Sequence, residues 1–484
     1  MAKPEQDEDG GEDIEMRGVG ITTGDVSDSM VAGGDITNII NNYQGMDKEA
    51  VEQLVQSAVI KQLSDLGIGP HSQQEGVSLT PEEVDGVDEA LDGAAAAERA
   101  GIEFGPWDSI ILGSAAELRG RTFTAEGYYR EALRAFIDDE DRLGEASALG
   151  NIGIIAAKRG DYDEAVKMFN GALEIQRMVG DRKGESGTLG NLGVISKNRG
   201  DLDGAVGFYL DSLSIKRELG DIEGEGATHG NLGVIAKIRG DLGQAEMHFK
   251  ESLAIARDFE DLESESKALT ALGVIAFTRE DLDEAERLYR EGLAIAREIG
   301  DRASESDSLG NLGINATKRG DLDEAERLYN ESLAIKREIG NRMGEANTLS
   351  NLGMIARTRG DLDEAYRLSK ESLAIDRELG DRMGVASSLH NLGVIASSRG
   401  DLVEAERLQG EALDIREEIG DLLGAAKSLI ELGSVANQRG DFGLAERHYR
   451  GHVRIMNQIG GSLDDWFIEN GYTNPDAEWD YPPE

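Results

Sequence analysis

The chain has 484 residues, no cysteine and a formal net charge of −45 at pH 7. The absence of cysteine excludes disulfides and thiolate metal sites. A field this negative repels nucleic acid and anionic lipid, so we expect neither nucleic acid nor a membrane as a partner.

The composition also predicts where the protein works. Acidic residues outnumber basic ones by 95 to 50, and only 15 of the basic residues are lysine. We interpret this acidic, lysine-poor composition as halophilic, and the alternative is an ordinary acidic helical protein. The N-terminus, MAKPEQDEDGGEDIEM, has no apolar signal core, and no run of about 18 apolar residues occurs. We therefore expect a cytoplasmic protein.

The first 45 residues differ in composition from the rest of the chain. Residues 1–17 are acidic and contain glycine, which is typical of a disordered tail. Residues 18–45 alternate short β-branched runs with Gly-Asp turns, which favours short strands. The alternative for this segment is a linker in which the alternation arose by chance.

Two helices are predicted ahead of the repeats. Residues 46–79 contain an amphipathic helix and a linker, with Val51, Leu54, Val55, Val59 and Leu63 near one face of the helix. That face would dimerise, dock on a partner, or pack on the end of the repeats. Residues 80–106 form an N-terminal capping helix, in which Thr80 is the N-cap, Pro81 takes the first position and Glu83 completes a capping box.

A 40-residue period dominates the chain from 107 to 470. The segment KRGDLDEAE, at 318–326, contains Arg-Gly-Asp, which recurs with Arg159, Arg199, Arg239, Arg319, Arg359, Arg399 and Arg439 as its first residue. A fixed period indicates a repeated structural unit rather than an adhesion ligand. Nine units, aligned at 111, 151 and so on to 431, follow one another without insertion.

The tripeptide predicts a helix end, a turn and a helix start. Arg319 suits the negative end of a helix dipole, and Gly320 suits a left-handed residue past that end. Asp321 caps the next helix, Glu324 completes a capping-box-like pair, and Gly340 ends that helix. Each unit is therefore a helical hairpin.

Small and large residues alternate where the two helices of a hairpin must meet. Gly313 and Ala316 lie on the first helix and Ala325 lies on the second, with Tyr329 and Leu333 filling the space between them. One hairpin cannot bury its own apolar face, so nine stacked hairpins form a continuous core.

The pattern resembles the tetratricopeptide repeat. The residues that carry the resemblance are Leu312, Gly313, Gly320, Asp321, Ala325, Tyr329 and Leu333. The 40-residue form is similar to the repeats of cell-polarity adaptors, kinesin light chains and MalT-type regulators. The N-terminal prefix is similar to those of prokaryotic signalling proteins with such repeats or an NTPase. The resemblance implies an all-α, right-handed superhelical solenoid whose first helices line a concave groove.

The resemblance also implies which residues line the groove, namely those equivalent to 307, 310, 311, 314, 317 and 318. An asparagine that holds the backbone of a bound peptide is expected at Asn151, Asn191, Asn231, Asn311, Asn351 and Asn391. The alternative is that these amides bond within or between the hairpins. The cations on the lining positions are Lys158, Lys197, Lys237, Lys267, Lys318, Arg357 and Lys427, and the acids are Glu117, Asp307 and Glu431. Seven cations minus three acids give these lining positions a net charge of +4, which favours an acidic, extended partner.

Several residues depart from the pattern. Glu280 replaces the turn glycine, so the hairpin that contains it is predicted to be a weak junction. The first unit lacks the Asp cap. His448 and His452 have metal-compatible spacing but no third ligand, so we interpret them as a surface pair. We interpret His229, which replaces a leucine, as a core variant.

These observations favour a non-catalytic scaffold that binds an extended, acidic peptide or partner protein, without a cofactor. The alternative is a prokaryotic regulatory sensor that forms a homo-oligomer through residues 18–67 and uses the repeats to sense a ligand. An enzyme would need a site that the sequence does not reveal. A closing helix is predicted near 461–472, and residues 471–484 form an acidic, aromatic tail that either competes for the groove or stays solvated.

Overall fold

A computed structural model describes residues 48–69 and 80–461, and the described residues form 20 helices and no strand. They are α1 (Lys48–Asp65), α2 (Pro81–Arg99), α3 (Pro106–Leu118), α4 (Thr122–Asp138), α5 (Arg142–Lys158), α6 (Tyr162–Val179), α7 (Arg182–Asn198), α8 (Leu202–Leu219), α9 (Ile222–Ile238), α10 (Leu242–Asp258), α11 (Leu262–Thr278), α12 (Leu282–Ile299), α13 (Arg302–Arg319), α14 (Leu322–Glu338), α15 (Arg342–Thr358), α16 (Leu362–Leu379), α17 (Arg382–Ser398), α18 (Leu402–Ile419), α19 (Leu422–Gln438) and α20 (Phe442–Gln458). None of these helices is long and apolar enough to span a bilayer.

Helices α3 to α20 pair into nine consecutive hairpins, each with an odd-numbered A helix and an even-numbered B helix. The predicted fold class, an all-α solenoid of helical hairpins, is confirmed. The helices form two compact units, which divide between Thr228 and His229 inside α9. The predicted tails 1–17 and 471–484, the β-prone segment 18–45 and the closing helix near 461–472 lie outside the described residues.

The Arg-Gly-Asp turn has the predicted helix end and cap. Arg319 is the last residue of α13, and Gly320 follows in the left-handed region with φ +82°. The Asp321 carboxylate accepts a hydrogen bond from the Glu324 backbone N–H at 3.2 Å. The capping-box prediction was wrong in one part, because the Glu324 carboxylate accepts hydrogen bonds from Arg327 at 2.8 Å instead of returning to Asp321.

Each hairpin closes around a glycine of its A helix. A Cβ added to Gly313 would lie 2.7 Å from Cε1 of Tyr329 on the B helix, closer than real Cβ contacts allow. The same glycine–aromatic contact occurs at Gly113, Gly153, Gly193, Gly233, Gly273 and Gly433. In hairpin 7 (α15 and α16) the aromatic is replaced by Ser369, and in hairpin 8 (α17 and α18) it is replaced by Gln409. The predicted small-residue contact is therefore confirmed, and two hairpins depart from it.

The helices ahead of the repeats pack on the first hairpin of unit 1. Val55, Val59 and Leu63 of α1 are fully buried in one core with residues of α2 and α3. The packing alternative for this helix is thus the one observed, and these three residues of its apolar face are occupied inside the unit. The predicted capping box of α2 is confirmed, since Thr80 and Glu83 each accept a hydrogen bond from the other's backbone.

Among residues 48–69 and 80–461, three turns use a non-glycine residue with positive φ. Glu280 has φ +65°, as its position predicted. Glu140 at φ +58° and Glu260 at φ +55° occupy the turns between hairpins, where other units have glycine. Positive φ was not predicted at these two positions. Arg121, in the first hairpin, forms no side-chain cap, as expected.

Candidate functional site

The A helices carry one exposed face, which we call the A face and define by the positions equivalent to 307, 310, 311, 314, 317 and 318. In α13, Asp307, Ile314 and Lys318 are exposed and Asn311 is half-buried. The opposite side of the same helix buries Leu309 in the core. These positions recur every three to four residues, so they share one side of the helix.

The six predicted asparagines all lie half-buried on A faces. Asn151 and Asn191 belong to unit 1, and the other four belong to unit 2. None of the six side-chain amides forms a hydrogen bond with another described residue. The alternative, in which these amides are used within or between hairpins, is therefore not what the structure has. Each amide can both donate to and accept from a ligand.

A glycine precedes the asparagine in four A helices, and in two of them an added side chain would meet no neighbouring atom. A Cβ added to Gly150 or Gly190 would meet nothing within 4 Å. Glycine inside a helix costs about 1 kcal/mol relative to alanine. By contrast, Gly193 in the same helix as Gly190 is required by Tyr209, which an added Cβ would approach to 2.7 Å. These glycines were not predicted as functional residues, although the recurring Gly-Asn pair was a visible signal.

The predicted cations divide into paired and unpaired groups. Lys158 lies 2.5 Å from Glu117, Lys318 lies 3.3 Å from Glu280, and Lys267 pairs with Glu263. The predicted sum of +4 did not count Glu263 and Glu280, so it overstated the free positive charge. The cations that form no ion pair with a described residue are Lys197 in unit 1 and Lys237, Arg357 and Lys427 in unit 2.

Hairpin 8, in unit 2, has a histidine where most other A helices have glycine, serine or threonine. His390 Nδ1 lies 3.0 Å from Gln409 Oε1, and Gln409 Nε2 donates to the His390 carbonyl at 3.0 Å. Burial, together with the nearby charges of Arg416, Lys427 and Arg357, lowers the pKa of His390 to about 4. The ring is therefore neutral at pH 7. With the amide oriented in this way, Nδ1–H donates to Gln409 and Nε2 is left as an acceptor.

The other histidines singled out by sequence do not form a site. His452 is buried, and its Nδ1 lies 2.9 Å from the Ala426 carbonyl, so the surface interpretation was wrong for this residue. No group of metal-binding side chains occurs among residues 48–69 and 80–461. His229 is buried, as predicted for a core variant, and its Nδ1 lies 2.9 Å from that of His248, a pairing the sequence analysis missed.

A family comparison accounts for the repeats. The model of the tetratricopeptide repeat family matches residues 109–178, 185–258, 264–338 and 344–418, which together exceed half of the chain. No curated protein matches the chain.

Comparison with solved structures shows the same fold. The apo form of the quorum sensor NprR from B. thuringiensis is 15% identical, with a TM-score of 0.55, 71% of this chain covered and 96% of that one. A signal transduction ATPase with numerous domains and a tetratricopeptide repeat sensor, from Pyrococcus horikoshii, is 14% identical, with a TM-score of 0.51. The match covers 90% of this chain and 68% of that one. A Rap protein complexed with Competence and Sporulation Factor is 17% identical, with a TM-score of 0.50. The match covers 70% of this chain and 94% of that one. At these identities the likeness shows the fold alone.

Proposed function

Because the chain belongs to the tetratricopeptide repeat family, we propose that it is a non-catalytic scaffold whose A faces bind an extended, acidic peptide segment of a partner protein. The observation that carries the proposal is the set of six asparagine amides that have no hydrogen bond to a described residue. Half-buried amides usually find partners within the protein, so unused ones on the A faces of each unit suit a ligand backbone.

The glycines beside two of these asparagines support the same function. Gly150 and Gly190 cost helix stability and relieve no clash inside the protein. A missing side chain lets a peptide backbone approach the helix closely. In unit 1 the pairs Gly150–Asn151 and Gly190–Asn191 therefore combine access with hydrogen-bonding capacity.

The acidic character of the ligand follows from the unpaired cations. Lys197 in unit 1 and Lys237, Arg357 and Lys427 in unit 2 form no close ion pair with a carboxylate of the described residues, in a chain with 95 acidic residues. An anionic side chain of the ligand would supply the missing partner. Two of the structural relatives named above are a quorum sensor and a factor-bound Rap protein, which agrees with a ligand-binding role for this fold.

The experiment uses the full chain and two fluorescein-labelled peptides of the same length, one rich in Asp and Glu and the other with Asn and Gln in their place. Fluorescence anisotropy should show binding of the acidic peptide and at least about tenfold weaker binding of the amide peptide. Asn351→Ala should weaken binding about tenfold, because the amide makes a direct hydrogen bond in a desolvated contact.

A matched control is Asn330→Ala. Asn330 is an exposed asparagine on B helix α14, whose amide donates to the Glu326 carbonyl at 2.9 Å. This change should leave the affinity within about twofold. Equal binding of the two peptides, or equal effects of the two asparagine changes, would contradict the proposal.

The alternative function, a regulatory sensor that assembles through residues 18–67, stays a prediction. Val55, Val59 and Leu63 on the apolar face of α1 are buried within unit 1, so assembly would depend chiefly on residues 18–47, which lie outside the described residues. Multi-angle light scattering of the full chain and of a chain lacking residues 1–47 separates the two functions. A smaller number of chains per particle after the deletion would support the sensor.

A further inference from the structure

One edge of unit 2 carries exposed apolar side chains at three consecutive turns. These turns join hairpin 6 to 7, 7 to 8 and 8 to 9, and each contributes the residue before its glycine and the second residue of the next A helix. We call this set the apolar edge, and its members are Ile339, Met343, Leu379, Met383, Ile419 and Leu423. Their exposed fractions lie between 38% and 56%. Single exposed residues of this kind are common, but six at consecutive turns are not.

Ion pairs show that neighbouring turns of the apolar edge are in contact. A guanidinium nitrogen of Arg342, on the first of the three turns, lies 2.9 Å from a carboxylate oxygen of Glu378, on the second. Arg382, on the second turn, pairs with Glu418 on the third in the same way. Side chains that flank the apolar residues therefore touch from one turn to the next, so the apolar residues form one strip along the edge.

The fold does not require apolar residues on this strip. The position of Met343, Met383 and Leu423 is occupied in the preceding A helices by Leu143, Lys183, Glu223, Glu263 and Ala303. Charged residues are thus accommodated there. The turn at the opposite ends of the helices of hairpin 7 is charged, since Arg359 pairs with Asp323. Apolar residues that stand in water where the fold accepts charged ones indicate an interface.

The area of the apolar edge fits a protein–protein contact. From their exposed fractions, the six side chains present on the order of 600 Å² of apolar surface, which is at the upper end of the largest patch on a typical monomer. One partner of a stable complex contributes about 800 Å². The largely exposed flanking pairs, Arg342–Glu378 and Arg382–Glu418, bring the edge to that size.

We propose that the apolar edge binds the same edge of a second copy of this chain, so that the protein forms an antiparallel dimer through unit 2. The stacked hairpins repeat at a constant spacing, so two such edges stay in register when a twofold axis relates them. The axis passes the middle turn, where Met383 meets its counterpart. At the outer turns, Met343 of one copy faces Leu423 of the other.

The flanking charges suit the same antiparallel arrangement. Along the edge they follow one another as Arg342, Glu378, Arg382 and Glu418. A twofold axis at the middle turn reverses this order in the second copy. Arg342 of one copy then lies beside Glu418 of the other, and Glu378 lies beside Arg382, so every charge meets one of opposite sign.

The net charge of the chain determines how the dimer responds to salt. Two chains of −45 repel each other at a distance, whereas the contact itself is apolar and its flanking charges are paired. Salt screens the repulsion, so the dissociation constant of the dimer should fall as ionic strength rises. A contact held chiefly by ion pairs between the copies would show the opposite trend.

Sedimentation equilibrium and light scattering of the full chain test the dimer. At high salt the particle should have twice the chain mass of 52.2 kDa. Met343→Gln combined with Met383→Gln should raise the dissociation constant at least about tenfold, because each side chain occurs twice in a twofold interface. Both methionines are about half exposed, so the melting temperature should stay the same. The matched control is Leu143→Gln, which changes the equivalent position in unit 1 and should leave the dissociation constant within about twofold.

Introduced cysteines test the antiparallel register. The chain has no cysteine of its own, so each variant contains a single thiol. Met383→Cys should form a disulfide-linked dimer under mild oxidation, because the two thiols meet at the axis. Met343→Cys alone should not, but a mixture with Leu423→Cys should link the two variants. Leu143→Cys is the control and should run as a single chain on denaturing gels.

The other outcomes overturn the proposal. A monomer at every salt concentration would mean that the apolar edge has another occupant, either residues 1–47 or 462–484 of the same chain or a different protein. A dimer that the glutamine changes leave intact, or that is lost when residues 1–47 are deleted, would place the contact elsewhere. Peptide binding to the A faces is measured separately by anisotropy, so the scaffold function stands or fails independently of the dimer.

Discussion

Arg359, the first residue of an Arg-Gly-Asp turn, reaches back to Asp323 in the first turn of α14, where a guanidinium nitrogen lies 2.5 Å from a carboxylate oxygen. The two residues are 36 positions apart and belong to consecutive hairpins. Arg199–Asp163, Arg319–Asp283 and Arg399–Asp363 repeat the contact. The arginine of the tripeptide therefore links hairpins in addition to ending a helix, which gives the 40-residue period a second structural reason.

These links predict a small, salt-dependent contribution to stability. The Asp323 side chain is 97% exposed, so the pair with Arg359 is screened by water and salt. Asp323→Asn should lower the free energy of unfolding by less than about 1 kcal/mol. Urea titration at two salt concentrations checks this, and a loss that grows with salt would contradict it.

Replacing two glycines of α7 by alanine should change the stability of the protein in opposite directions. Gly190→Ala adds a methyl in open space and should stabilise the protein by about 1 kcal/mol. Gly193→Ala drives a methyl to 2.7 Å from the Tyr209 ring and should destabilise it by about 1–3 kcal/mol. Thermal unfolding followed by circular dichroism measures both. A destabilising Gly190→Ala would mean that this glycine has a structural role, and it would weaken the argument for ligand access.

The turn at Glu280 should gain stability from glycine. Its φ of +65° places a side chain in the left-handed region, which costs about 1 kcal/mol or more. Glu280→Gly removes that strain and loses a 3.3 Å ion pair with Lys318 in which Glu280 is largely exposed. The melting temperature should therefore rise. An unchanged or lower melting temperature would show that the strain at this turn is negligible.

Stability should fall in mild acid because of His390. Burial and three cations lower the pKa of His390 from its usual value near 6.5 to about 4, whereas the unfolded chain keeps the usual value. The unfolded state thus binds a proton first, so the loss begins as pH falls through about 6.5 and is complete near pH 4. The expected size is on the order of 2–3 kcal/mol. Urea titrations between those pH values give the free energy of unfolding of the unmodified chain and of His390→Asn. The difference between the two should change as pH falls, and a difference that stays constant with pH would contradict the assignment.

The composition predicts dependence on salt. A net charge of −45 repels itself, and screening weakens that repulsion at high ionic strength. If the acidic surface is a halophilic adaptation, the far-ultraviolet circular dichroism signal of helix should decrease on dialysis into dilute buffer. Full helicity at low salt would favour the alternative, an ordinary acidic helical protein.

The sequence predicted features that depend on neighbouring residues and missed those that depend on side chains from another hairpin. The turn at Gly320 and the contact between Gly313 and Tyr329 follow from local pattern and period. The pair Lys158–Glu117 does not, because its residues lie 41 positions apart and meet only when hairpins stack. The same reason applies to His390, whose state depends on cations from three other helices. Gln409 stood at an aromatic position, and that departure was the available signal.

The central claim is that the ligand lies on the A faces, and photo-cross-linking tests it most directly. An Asp/Glu-rich peptide with a central benzophenone, irradiated with the full chain and mapped by mass spectrometry, should attach to exposed A-face residues such as Ile314 and Met354. Met247, an exposed methionine on B helix α10, serves as the internal control because it offers the same chemistry away from the A face. Cross-links concentrated on A helices are the predicted result, and cross-links on Met247 and other B-helix residues, with none on A helices, would contradict the account.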